Sequence, residues 1–258
     1  MSTVLVTGAS SGIGAATAQR LAGRGWRVLA GVRKPDDAPA GTEELILDVT
    51  DAAAIRAAAA RVDRLDGLVN NAGIAVACAL EDLPLDELRR QLEVNVVGQL
   101  AVTQAFLPAV RAARGRIVLV GSIAGRSSLP FLGAYAISKF ALEAVADALR
   151  VELQPEGIEV ALVEPGTIRT PIWTKPQPLA ERMSERYRTR IEAFRATAAA
   201  RSSKAVPAER VAETIEHALT AERPRTRYLV GRDARLRAAL QKLPDRARDR
   251  VLTRILFS

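Results

Sequence analysis

A single cysteine, Cys78, stands in a chain of 258 residues, so an internal disulfide is excluded and stability must come from a packed core. Its apolar context reads as a small buried hydrophobe, and a reducing, cytoplasmic setting is expected. Aromatic residues are scarce at 4%, and the 37 Lys and Arg are spread through Ala-rich helices among 29 Asp and Glu instead of being gathered with rings. The formal charge of +8 is therefore read as solvated helix faces, and no nucleic-acid partner is expected. No run of roughly 18 continuous apolar residues appears, and Met1 leads straight into a short strand without a basic and apolar leader. A soluble chain is the expectation. The sole histidine, His217, lies far in sequence from every motif and reads as structural; no metal site is expected.

What the chain does carry is alternation. Apolar strand signals alternate with Ala- and Leu-rich helical signals from Thr3 onward, and no low-complexity spacer interrupts them. The pattern implies an α/β fold, a doubly wound parallel sheet of about seven strands with helices on both faces, in one domain over residues 1–258. The first strand runs into Thr7-Gly8-Ala9-Ser10-Ser11-Gly12-Ile13-Gly14, a glycine-rich turn that opens a helix. Glycines are expected there because a side chain would hold a pyrophosphate away from the N–H groups of the helix N-terminus, where partial positive charge collects.

The second strand signal ends in Val32, Arg33 and Lys34, with no carboxylate before Asp36. In a dinucleotide fold this strand end lies by the adenosine ribose, where an acidic side chain binds a 2′-hydroxyl and a basic one a 2′-phosphate. Arg33 is thus expected as the main phosphate partner, with Lys34 a second and Ser10 or Ser11 supplying hydroxyls, which makes the expected cofactor NADP (NADPH). The plainer alternative for Arg33 is a solvated loop residue.

Further along, Tyr135 and Lys139 lie four residues apart in AYAISKFALEAVADALRVEL, whose composition is helical, so both should share one face a turn apart. A nearby ammonium favours phenolate and lowers the phenol pKa from about 10 toward the range of a working acid or base. Ser122 follows the strand-like run RIVLVG and is expected to face the same point, its hydroxyl on a substrate oxygen. On its own, Tyr-x-x-x-Lys would equally be an amphipathic helix with a surface lysine.

Together the spacing Thr7-Gly8-x-x-x-Gly12-x-Gly14 and the set Ser122, Tyr135-x-x-x-Lys139 resemble the signatures of the classical short-chain dehydrogenase/reductase family, over roughly residues 3 to 231. The resemblance implies an oxidoreductase moving a hydride between NADP(H) and the carbonyl or secondary alcohol of a fairly apolar small molecule, steroid-, retinoid- or polyketide-like. Its catalytic residues would be Ser122, Tyr135, Lys139 and Asn95. Asn95, a poor helix-interior residue, matches a family position at a helix distortion whose backbone carbonyl holds a water linking the lysine to solvent. Asp48 and Val49 match adenine contacts, and Asn70-Asn71-Ala72-Gly73 matches the motif that steadies the sheet and lines the cofactor ribose. Pro165 and Gly166 match the nicotinamide floor, Ile168 and Thr170 its carboxamide partners. Without the resemblance, Asp48 to Asp51 is also a helix N-cap, Asn71 to Gly73 a turn and Thr170-Pro171 a loop exit.

A substrate lid over residues 171–205 is implied too, with Trp173, Met183, Tyr187 and Phe194 as an apolar wall or as ordinary helix packing. The basic helical tail, 232–258, is expected to pack on the subunit or a partner rather than on a membrane, and the assembly to be a homodimer or homotetramer. Two alternatives remain: the same four residues serving an epimerisation or dehydration with retained cofactor, or a non-catalytic dinucleotide sensor.

Overall fold

A parallel strand covered on both faces needs an unbroken aliphatic run, and TVLVT supplies it: in β1 (Thr3–Thr7) the side chains of Val4, Leu5 and Val6 are fully buried. The structure, a computed structural model, describes residues 1–173, 184–202 and 205–257. After β1 come α1 (Gly12–Ala22), β2 (Arg27–Val32), β3 (Glu43–Ile46), α2 (Ala52–Ala59) and β4 (Gly67–Asn70). A long helical run follows, α3 (Leu85–Leu92) and α4 (Gly98–Ala113) joined by a wide π turn at Glu93–Val97, and then β5 (Arg116–Val120), α5 (Gly133–Leu153) and β6 (Glu159–Pro165). The remaining elements are β7 (Ile168–Arg169), α6 (Glu185–Ser202), β8 (Val206–Pro207), α7 (Ala208–Thr220), β9 (Arg227–Val230), α8 (Arg232–Leu240) and α9 (Asp245–Phe257).

Seven strands pair in the order β3-β2-β1-β4-β5-β6-β9, every pair parallel. The period-two alternation of a strand decides which helices cover each face. Leu5, Leu29, Leu68, Ile117, Leu119 and Leu162 meet α2, α4 and α5, whereas Val4, Val6, Val28, Val69, Val118 and Val163 meet α1 and α7. Winding reverses between β1 and β4, which opens a crevice at the carboxyl ends of the strands.

Two features differ from the sequence reading, while the tail packs on its own subunit, one of the expected arrangements. β7 and β8 form a small parallel pair of their own, two residues each, too short for any periodic signal. Leu85–Ala113 is, by length and composition, apolar enough to cross a membrane. It is a core helix nonetheless: Thr103 takes a hydrogen bond from buried Asn70, and Gln99 donates to the Ala72 carbonyl. The basic tail folds back, with α8 packed on β9 and α9 on α6. Helix α6 buries Ile191 beside Phe131 and Cys78, and Tyr187 and Phe194 meet the Phe131 ring edge to face. Met183 and the Trp173 side chain lie outside the described residues.

Candidate active site

The crevice is one cleft of about 600 Å³. Gly8, Ser10, Ser11, Gly12, Ile13, Arg33, Lys34, Asp48 and Val49 line one end of it. Asn71, Ala72, Gly73, Pro165, Gly166, Ile168 and Thr170 line its length, and Ser122, Tyr135 and Lys139 the other end. Two expected residues stay outside its lining, Gly14 and Asn95.

Gly14 corrects the reason given for the glycines. A Cβ there would lie 2.5 Å from Asn71 Nδ2, and nearer still to the Gly8 carbonyl oxygen, so its smallness serves packing between turn and sheet and not access of a ligand. Gly8 has φ +64° and Gly12 φ +57°, backbone that favours glycine. The Asn-Asn-Ala-Gly segment holds this turn from behind. Asn71 Nδ2 donates to Thr7 O at 2.9 Å and Gly8 O at 3.2 Å, and Thr7 Oγ1 accepts from the Asn71 and Ala72 N–H groups at 3.0 Å each.

The residues fit a dinucleotide. Ser11 at the N-cap of α1 makes no side-chain cap bond, and the first turn carries no acidic residue, so the N–H groups facing the cleft keep their positive potential. Arg33 and Lys34 lie exposed just past β2 and form no ion pair among the described residues. Past β2 it is Asp37, not Asp36, that reaches this lining. The rival readings at Asp48 divide between two residues. Asp51 caps α2 by accepting from Ala53 N (2.8 Å) and Ala54 N (3.2 Å), and Asp48 faces the cleft while holding Thr50 N at 2.9 Å.

At the far end, Ser122 shares a hydrogen bond with Tyr135, whose side chain is buried. Ser122 Oγ also accepts from Ala124 N at 3.1 Å and donates to Pro165 O at 3.4 Å, joining the ends of β5 and β6. Lys139 Nζ lies 5.7 Å from the Tyr135 ring centre and donates to Val120 O at 2.8 Å. Burial lowers its pKa to about 8. The phenol is not acidified by Lys139 as expected. Burial pushes the Tyr135 pKa upward, and what opposes this is the Ser122 bond and the charge of Arg237 from α8. Spacing alone placed the two side chains correctly but said nothing of desolvation.

Asn95 sits in the π turn, fully buried. Its side chain accepts from Ile74 N (2.9 Å) and donates to Ile74 O and to Ser138 Oγ (3.0 Å each). It therefore ties the segment after β4 to α5, acting behind the cleft. Ser138, unmarked by the sequence reading, passes this link to the Tyr135 carbonyl at 2.7 Å. Ile74, Arg90 and Val94 also line the cleft; Ile74 and Val94 neighbour expected positions, but nothing in the sequence pointed to Arg90.

Behind the site lies a cluster of charges. Glu164 on β6 is fully buried and bonded to Arg126, while Glu143, one turn past Lys139 on α5, bonds Arg227 at 3.0 Å. The other carboxylate oxygen of Glu143 is buried and receives no donor from an arginine or backbone N–H among the described residues. Burial first, then the neighbouring Glu164, push its pKa up from 4.5 to about 7.

The family model described as short chain dehydrogenase matches residues 2–179. The chain is 40% identical to a 3-amino-tetrahydro-pyrrolizinone reductase of Xenorhabdus hominickii, with 90% of this chain and 87% of the relative covered. It is 36% identical to an NADPH-dependent 3-dehydrocapnine reductase of Ornithobacterium rhinotracheale, with 96% and 94% covered. A crystal structure of a short chain dehydrogenase from Burkholderia cenocepacia in complex with NADP superposes with a TM-score of 0.77 at 27% identity, covering 100% of this chain and 98% of that one. With the cleft at the strand ends, the glycine turn and the Ser122, Tyr135 and Lys139 cluster facing one another across it, the chain belongs to the short-chain dehydrogenase/reductase family of oxidoreductases.

Proposed function

We propose that the protein is an NADP-dependent reductase of ketones on an apolar frame, working reversibly on the corresponding secondary alcohols. The observation that carries this is the single cleft with a basic, glycine-lined end and a Ser–Tyr–Lys end. When bound, NADPH would supply the hydride, and Gly12, Ile13, Arg33, Asp48 and Thr170 are the residues that would hold it. Tyr135 donates its proton to the carbonyl oxygen while Ser122 hydrogen-bonds that oxygen and fixes its direction. Lys139, with a pKa near 8, stays largely charged at neutral pH and returns a proton toward the phenol. Asn95 and Ser138 hold the helix that carries both.

NADP preference is supported by Arg33 and Lys34 at the ribose end, by Val32 where an acidic residue would select NAD, and by the cofactor named for two of the similar proteins. An apolar substrate is supported by Ile74, Val94 and Ile172 along the cleft and by a second hollow formed by Ala79, Leu80, Pro130, Phe131 and Tyr187. A cytoplasmic homo-oligomer belongs to the same proposal; Ile137 and Phe140 on α5 are 42% and 47% exposed. The test is loss of reduced-nicotinamide absorbance with a panel of cyclic ketones, in wild type and Tyr135→Phe. Turnover that vanishes in the variant while NADPH still binds supports the reading; a spectral change without turnover, or binding alone, refutes it.

A further inference from the structure

Helix α8 lies beyond the residues matched by the family model, yet its side chains reach both loops that flank the reactive end of the cleft. Asp233 Oδ2 accepts the Thr167 N–H at 2.6 Å, and the same carboxylate fills the space that a Cβ on Gly166 would need. Gly166 lines the cleft two residues before Ile168. One turn along, Arg237 Nη2 donates to the carbonyl of Ser127, which is 2% exposed and sits in the loop between Ser122 and Tyr135. Ala234, fully buried between them, seats this face of the helix.

We propose that Asp233 and Arg237 are positioning residues: from one helix face they hold the loop after β6 and the loop between Ser122 and Tyr135 in register, and Arg237 brings a permanent cation toward the phenol. This rests on the oxidoreductase reading above. Two groups oppose the effect of burial on the phenol, the Ser122 hydroxyl from the end of β5 and Arg237 from α8, while Lys139 Nζ lies 5.7 Å from the centre of its ring. Of the two cations Lys139 is committed to the Val120 carbonyl, with its pKa already lowered by burial, whereas a guanidinium keeps its charge at any working pH. The attraction of Arg237 for the phenolate partly offsets the cost of burial.

The chain has three tyrosines, Tyr135, Tyr187 and Tyr228, so phenolate absorbance of the cofactor-free protein, taken as the difference from Tyr135→Phe, reads the ionisation of Tyr135 alone. Arg237→Met is expected to move that titration upward, and Arg237→Lys to restore most of it. Arg237→Gln keeps a donor for the Ser127 carbonyl without the charge and should shift like the methionine variant; it also serves if Arg237→Met fails to fold. Asp233→Ala should leave the titration in place and weaken NADPH binding, measured by fluorescence, by about tenfold or 1.4 kcal/mol. Charge-removing variants that titrate like wild type overturn the role of Arg237, and an unchanged NADPH affinity in Asp233→Ala overturns the clamp. A shifted titration in a protein that reduces no ketone would refute the proposed function and leave this inference standing.

Discussion

Gly14→Ala separates two reasons for a glycine. If glycine were needed there only for a ligand to approach, the cofactor-free protein would gain from the change, because alanine is the better helix former by about 1 kcal/mol. The structure gives the opposite sign. The new methyl would overlap the Gly8 carbonyl oxygen and press Asn71 Nδ2 away from its two acceptors, Thr7 O and Gly8 O. Overpacking of a tight site costs about 1–3 kcal/mol, and each weakened hydrogen bond about 1 kcal/mol. Set against the propensity gain, the net loss is about 2–4 kcal/mol. For a domain of this size that lowers the melting temperature by roughly 4–16 °C. The assay is thermal unfolding without cofactor, followed by far-ultraviolet circular dichroism. A variant that melts with the wild type but no longer binds NADPH would refute this packing account and restore the ligand-access one.

Tyr135→Phe should lower turnover by about 10²- to 10⁴-fold, the usual worth of a positioned general acid, with NADPH affinity retained. Arg33→Ala should reduce the preference for NADPH over NADH by at least about tenfold, measured as the ratio of kcat/KM values; a smaller change removes Arg33 from the phosphate site. The carboxyl of Glu143 has a higher pKa folded, about 7, than its ordinary 4.5, so the folded state favours its proton. Its contribution to stability is therefore complete below pH 4.5 and is lost as pH rises through 7. Glu143→Gln should melt with a flatter pH dependence than wild type across that window and be the more stable of the two above it. Equal slopes in the two proteins would refute the shift.

The sheet was legible because its inner strands are buried on both faces and so read as aliphatic runs; β1 runs into the glycine turn, β2 ends at Val32 and β5 fills the run before Ser122, as expected. The glycine turn and the pair Tyr135 and Lys139 were legible because their geometry is local, set by a helix start and a helical turn. Asn95 announced itself as a poor helix former and indeed sits in a π turn. What escaped was set at long range or by burial. The direction of the Tyr135 shift depends on desolvation, which no spacing encodes. Asp233 and Arg237 meet partners 66 and 110 residues away, and the pattern of α8 marks them only as two charges among many. The division of labour between Asp48 and Asp51 follows from which carboxylate meets the first turn of α2, a matter of a few ångströms.

Strand β1 is flanked on both sides by hydrogen-bonded neighbours and covered above and below, so its amide protons should exchange with solvent only when the whole molecule opens. The glycine turn grows directly from this slowest-exchanging strand, whereas the second, more apolar hollow is walled in part by Tyr187 and Arg190 of α6, outside the sheet. Evolution, or a protein engineer, can therefore rewrite what the enzyme accepts by editing late segments of the gene while the platform that grips the nucleotide keeps its rigidity.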